Sequence, residues 1–167
     1  MKRLVIGRGS VFASLLIIGE APGAQEDLEG KPFVGKSGKL LDELLKKAGI
    51  DYESDVYFCN VIKCRPPNNR KPTVREVNTH KPWLLQQIKL VDPKFIILTG
   101  STAMRTILEV KEPISNLRGK WINKDGRRIM TIFHPAYLLR FPSKGIDKPH
   151  DLTLKDLKNV SSKLYAL

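Results

Sequence analysis

The chain has 167 residues, 41% apolar and 28% charged, with 12 glycines and 11 prolines. That is the composition of one globular domain, not of a disordered, collagen-like or membrane-embedded chain. The formal net charge of +12 is uneven: residues 1–60 hold 8 basic and 9 acidic side chains, residues 61–167 hold 21 and 8.

Residues 1–8 carry charge but no apolar stretch follows them, so no secretory leader is expected. Residues 14–19, Ser-Leu-Leu-Ile-Ile-Gly, read as a buried strand. A Gly/Pro-rich loop follows from Glu20 to Gly35. Leu40, Leu41, Leu44, Leu45 and Ala48 recur at helical spacing, and Gly49 stops that helix. Residues 56–62 are a second strand, and 66–69, Pro-Pro-Asn-Asn, a loop without regular structure. Val74, Val77, Leu84, Ile88 and Val91 mark a helical face interrupted or restarted at Pro82. Residues 94–100 give a third strand, and Ser101 is the expected N-cap of the helix carrying Ala103, Ile107 and Leu108. Residues 128–133 are the fourth strand, and a weaker helix runs from about Leu152 to Leu164. Continuous apolar strands alternating with helices predict a single α/β domain, a parallel sheet covered on both faces. No run approaches the roughly 18 apolar residues of a membrane span. Cys59 and Cys64 form no disulfide framework and fit a reducing interior. As a C-x₄-C pair without a second pair they are a weak metal signal.

The basic excess lies in three segments: Lys63, Arg65, Arg70, Lys71 and Arg75; Arg118, Lys120, Lys124, Arg127 and Arg128; Arg140, Lys144 and Lys148. A polyanion is the natural partner, since each neutralised phosphate releases counterions; the alternative is a cationic surface that only confers solubility. In a parallel sheet, ligands sit beyond the carboxyl ends of the strands. The residues there are Glu20-Ala21-Pro22-Gly23, Asn60, Gly100-Ser101 and His134-Pro135-Ala136-Tyr137. They collect a carboxylate, an amide, a small-residue turn and an imidazole, able to hydrogen-bond a polar heterocycle and handle a proton. Each has a plainer reading. Glu20 can cap a loop, Glu26-Asp27 form an acidic turn, and Phe33 fill the core. Asn60 can bridge backbone, His134 be structural, and Tyr137-Leu138-Leu139 be helix core. The stretch 19–23 lacks both dinucleotide-loop glycines and a P-loop lysine, which argues against a nucleoside-triphosphate site.

Three motifs carry a resemblance. Gly-Glu-Ala-Pro-Gly at 19–23 with Glu26-Asp27 and Gly-Lys-Pro-Phe-Val-Gly at 30–35 is the first. Asn-Val-Ile-Lys-Cys-Arg-Pro-Pro at 60–67 with Asn-Arg-Lys-Pro at 69–72 is the second, and His-Pro-Ala-Tyr-Leu-Leu-Arg at 134–140 the third. Together, in this order, they resemble the family 4 uracil-DNA glycosylases. The resemblance implies a three-layer α/β/α sandwich around a four-stranded parallel sheet, and hydrolysis of the uracil–deoxyribose bond in DNA. It implies that Glu20 positions water and His134 donates to uracil O2, as the catalytic pair. The base-binding set would be Ala21, Glu26, Phe33 and Asn60: Phe33 stacks on the flipped base, Asn60 reads its Watson–Crick edge, and Glu26 excludes thymine's methyl near C5. Arg65, Arg70, Arg140 and Lys144 would contact DNA, with Leu138 or Leu139 as an apolar wedge in the vacated stack. With no lysine nucleophile to place in the pocket, a monofunctional enzyme is expected. The expected partner is uracil-containing DNA, single-stranded or with a U·G mispair. The chain is expected to act as a monomer, off the membrane, in a prokaryotic cytoplasm or an organelle of prokaryotic descent. The alternatives are a uracil-DNA binding module without turnover and a small-molecule nucleotide enzyme.

The family usually carries a [4Fe–4S] cluster on four cysteines. Cys64 matches the third ligand position, His80 stands at the fourth, and the first pair has no counterpart. One matching thiolate in four predicts no cofactor, with packing around Pro82, Trp83 and Leu84 holding the loop instead. A cluster with His80 as ligand stays open only if cysteines upstream are missing from this sequence.

Overall fold

The computed structural model describes residues 3–166; Met1, Lys2 and Leu167, which fall inside the expected 1–167 domain, lie outside them. The apolar runs become β2 (Leu15–Gly19), β3 (Val56–Asn60), β4 (Phe95–Thr99) and β6 (Arg127–Ile132), all mutually parallel. The sheet nevertheless has six strands among the described residues, not four. β1 (Arg8–Gly9) pairs antiparallel with β3, and β5 (Trp121–Lys124) antiparallel with β6, giving the order β1-β3-β2-β4-β6-β5. The expected all-parallel sheet is therefore corrected to a mixed one. β5 and β6 form a hairpin turned by Asp125 (φ 51°) and Gly126 (φ 76°), an Asp-Gly pair with left-handed backbone at both residues, as a two-residue turn requires.

Alternate residues of each buried strand feed opposite cores, which is why these strands read as unbroken apolar runs. Leu15, Ile17, Phe58, Ile97 and Met130 meet Leu41, Leu44 and Leu45 of α2 (Lys36–Lys47), Leu138 of α6 (Pro135–Arg140), and Leu157 and Val160 of α7 (Pro149–Leu164). Leu16, Ile18, Cys59, Ile96 and Ile129 meet Leu84 of α3 (Val74–Val91) and Met104 and Ile107 of α4 (Ser101–Leu108). Helices thus cover both faces of the sheet.

Local departures have local causes. α3 runs unbroken through Pro82. Both Pro82 and Asn78, whose carbonyl loses its partner, are exposed, so water can replace the missing hydrogen bond. Gly100 (φ 88°), not Ser101, caps α4, and Ser101 is its first helical residue. The Glu20–Gly35 loop contains α1 (Ala24–Glu29), residues Pro67–Asn69 form a 3-10 turn, and α5 (Ile114–Leu117) precedes β5. Among the described residues no helix is long and apolar enough to cross a membrane.

Candidate active site

The strand order places the four expected chain segments side by side. Reading across β3, β2, β4 and β6, the carboxyl ends carry Asn60, then Gly19-Glu20, then Gly100, then His134 just beyond Ile132. Gly19 is in register with Asn60, and the ladder continues past the strands: Val61 N–H donates to Gly19 O (2.8 Å) and Ile62 N–H to Glu20 O (3.2 Å). Gly100 N–H donates to Ile132 O (2.9 Å), and a Cβ at Gly100 would lie 3.0 Å from that of His134. A Cβ at Gly19 would lie 2.5 Å from both Asn60 Oδ1 and Phe33 Cζ. The amide and the aromatic ring therefore converge over one bare stretch of backbone, and only glycine admits both.

Phe33 reaches this point through a left-handed backbone (φ 56°) that the surroundings hold in place. Arg8 on β1 donates to Pro32 O (2.8 Å) and Phe33 O (3.1 Å) and pairs with Asp42 at 3.0 Å. Burial pushes the Asp42 carboxyl up from its ordinary range, and Arg8 opposes that shift. Gly38 permits close approach from below, since a Cβ there would sit 2.0 Å from Phe33 O. Glu26 closes the same loop, accepting from Gly23 N–H (3.0 Å), Val34 N–H (3.0 Å) and Gly35 N–H (2.6 Å). Both its oxygens are thus committed to backbone, so it latches the Phe33 loop rather than presenting a free carboxylate to a base. Ala21 packs against the second core.

Glu20 is half-buried, and Thr102 in the first turn of α4 donates its hydroxyl to Oε2 at 2.5 Å. His134 is the N-cap of α6: its Nδ1 accepts Ala136 N–H at 3.0 Å. Burial pushes the His134 pKa down, against the smaller opposing pull of Glu20 and Glu26. The neutral ring is thereby favoured, and with Nδ1 accepting a hydrogen bond its proton must sit on Nε2. The site holds a fixed neutral N–H donor on one flank and a tethered carboxylate on the other.

On the DNA-facing expectations, Leu138 is corrected. It is 1% exposed in the first core, because helical spacing turns it inward with Pro135, and the exposed leucine is Leu139. Arg140 and Lys144 are exposed. Arg65 is half-buried and donates to Asn69 Oδ1 (2.7 Å). Arg70 is braced by Glu76 (2.6 Å), so it is not a free cation as expected.

The place of the family's cluster is built differently. His80 Nδ1 accepts Lys63 N–H (2.9 Å) and the ring meets Trp83 edge-on at 5.1 Å. Lys63, 1% exposed, donates its Nζ to Asn60 O (2.6 Å) and to Gln87 Oε1, and Gln87 donates to Ile6 O (2.7 Å). Trp83 is half-exposed and Pro82 exposed, so of the expected packing trio only Leu84 is buried. Among the described residues no group of three or more His, Cys, Asp or Glu side chains gathers to hold a metal. Cys64 and His80 do not fit a four-ligand cluster.

The chain belongs to the uracil DNA glycosylase superfamily, whose family model matches residues 6–158. It is 40% identical over 163 residues to a type-4 uracil-DNA glycosylase of Thermotoga maritima, covering 95% of this chain and 82% of that protein. It is 38% identical over 163 residues to that of Pyrobaculum aerophilum (92% and 82%), and 41% identical over 146 residues to that of Archaeoglobus fulgidus (83% and 73%). The sequence reading placed Gly19 at the head of the first motif but gave it no role, and it missed Arg8 and Thr102, which join the site only through long-range packing.

Proposed function

We propose that this chain is a uracil-DNA glycosylase: it hydrolyses the bond between uracil and deoxyribose in DNA, leaving an abasic site, and so opens base-excision repair. A base within a duplex is out of reach and must be extruded, at a cost of a few kcal/mol that is lowest for mispaired or unpaired bases. Single strands and U·G mispairs are the favoured substrates on that ground. The flipped uracil lies between Phe33 and the strand ends, with the Asn60 amide on its Watson–Crick edge. As the bond breaks, positive charge grows on the sugar and negative charge on the base. Glu20, aimed by Thr102, faces the first and positions the water that adds to C1′; the His134 Nε2–H donates to O2 as the second develops. No lysine amine is placed for attack, so the enzyme is monofunctional. It works as a monomer in the cell interior, and without an iron–sulfur cluster, a reading supported by His80, which stands at a ligand position but spends its Nδ1 on the Lys63 N–H.

The observation that carries this reading is the convergence of Asn60 and Phe33 on Gly19, one residue before Glu20 and one strand from the Gly100–His134 contact. A labelled oligonucleotide with one uracil, incubated with the protein and treated with alkali, is cut at the uracil. A gel shift without scission would instead make the protein a binder, and turnover of free nucleotides alone would make it a small-molecule enzyme. Iron analysis and the visible spectrum of freshly purified protein test the missing cluster.

A further inference from the structure

From the geometry beyond His134 we infer a second nucleobase site, a hollow that takes an unstacked base next to or opposite the uracil. Just past the exposed Leu139, a hollow of about 390 Å³ is lined by Tyr137, Arg140, Phe141, Pro142, Ser143, Lys148 and Pro149. Three features point to DNA. Tyr137 and Phe141, one helical turn apart, are 38% and 48% exposed, and their rings lie 4.8 Å apart at 47°. Phe133 backs Tyr137 at 5.2 Å, so the rings stand as a fixed ladder needing little further ordering. The lining holds two cations and no carboxylate, with the exposed Lys144 in the same loop. Aromatic faces interleaved with Arg and Lys are how sequence-tolerant sites bind single-stranded DNA, the ring stacking on the base and the cation meeting its phosphate. The hollow is also continuous with the site: Tyr137 N–H donates to His134 O (2.9 Å), and Leu139 lies between it and Arg140 on the same short helix.

This inference rests on the proposed activity, because a wedge entering the stack is what releases a neighbouring or opposing base. Two sources share the chemistry, a flanking base of the uracil strand and the orphaned base of the other strand.

The test uses the full chain and oligonucleotides with a non-hydrolysable 2′-fluoro-deoxyuridine, 2-aminopurine being placed in turn on either side of the uracil and opposite it. With the wild-type protein, emission changes on binding at one of these positions. A flanking base gives the change in single strands as well as duplexes; the opposing base gives it only in the duplex. Phe141→Leu, which keeps bulk but removes the π-face, abolishes the change and weakens binding roughly five- to hundred-fold. Phe141→Tyr restores both. The dependence of affinity on salt is unchanged in Phe141→Leu and loses about one unit of slope in Lys148→Gln. Emission that stays constant at every position, or Phe141→Leu binding like wild type, overturns the inference. So does a loss of affinity that Phe141→Tyr, with an unchanged melting temperature, fails to restore. If the wild-type protein excises uracil but shows no emission change, only this site fails; if it neither excises nor binds uracil DNA, the proposed function fails with it.

Discussion

The surroundings of His134 and of His80 use one device for different ends. In each, the imidazole Nδ1 accepts a backbone N–H, from Ala136 at 3.0 Å and from Lys63 at 2.9 Å, and in each burial pushes the ring pKa down. What differs is the company. His134 stands at the carboxyl edge of the sheet, where Glu20 and Glu26 oppose the shift; in the proposed reaction its Nε2–H meets the leaving base. His80 faces Lys63, which lowers its pKa further against a smaller opposing pull from Glu76, and an edge-on Trp83. It anchors the segment whose lysine holds the carbonyl of Asn60. The same hydrogen bond orients a donor in one place and ties down a loop in the other, so the neighbours, not the histidine, decide the role.

Removing each imidazole in turn is the strongest way to break this comparison. His134→Ala removes a preorganised donor and should slow single-turnover excision on the order of 10²–10³-fold while DNA affinity stays near wild type. A His134→Ala enzyme that excises at full rate would leave His134 only a helix cap. Next in size is a pair of leucines on α6. Leu138→Ala should cost about 2–5 kcal/mol of stability by denaturant titration, as buried leucines do. Leu139→Ala should cost under about 0.5 kcal/mol, as surface changes do, yet slow excision from duplexes more than from single strands. Equal effects at both would return Leu138 to the DNA face. His80→Ala leaves the Lys63 N–H without its partner and should destabilise by about 1–3 kcal/mol, with excision per folded molecule close to wild type. A loss of rate at His80 matching that at His134 would mean the two regions are not functionally distinct.

Acid gives a smaller effect of fixed sign. Both histidines hold protons more weakly folded than in the unfolded chain, whose value is 6.5. Their contribution to stability is therefore complete above about pH 6.5 and lost as pH falls below it toward the folded values. The melting temperature should drop on acidification through that range, and less steeply in His80→Ala; equal slopes would remove His80 from the account. Smallest is the salt response: replacing Arg140 and Lys144 should flatten the dependence of DNA binding by about one unit per lost phosphate contact. Arg70→Gln, whose cation is already paired with Glu76, should flatten it less.

Much of this protein was set by its chain alone. Four unbroken apolar runs demand burial on both faces, and hence parallel strands under helices. A strand end is where such a sheet offers polar groups, which singled out Glu20, Asn60 and His134. The Asp125-Gly126 turn shows that even the missed hairpin was written locally. Tertiary structure decided what depends on partners distant in sequence. It turned Leu138 inward and Leu139 outward, gave Glu26 to three backbone N–H groups, and supplied Thr102 to Glu20 from 82 residues away. A side chain's type fixes which bonds it can make, but burial and the neighbour that meets it fix which bonds it does make, and those are set only when distant segments pack.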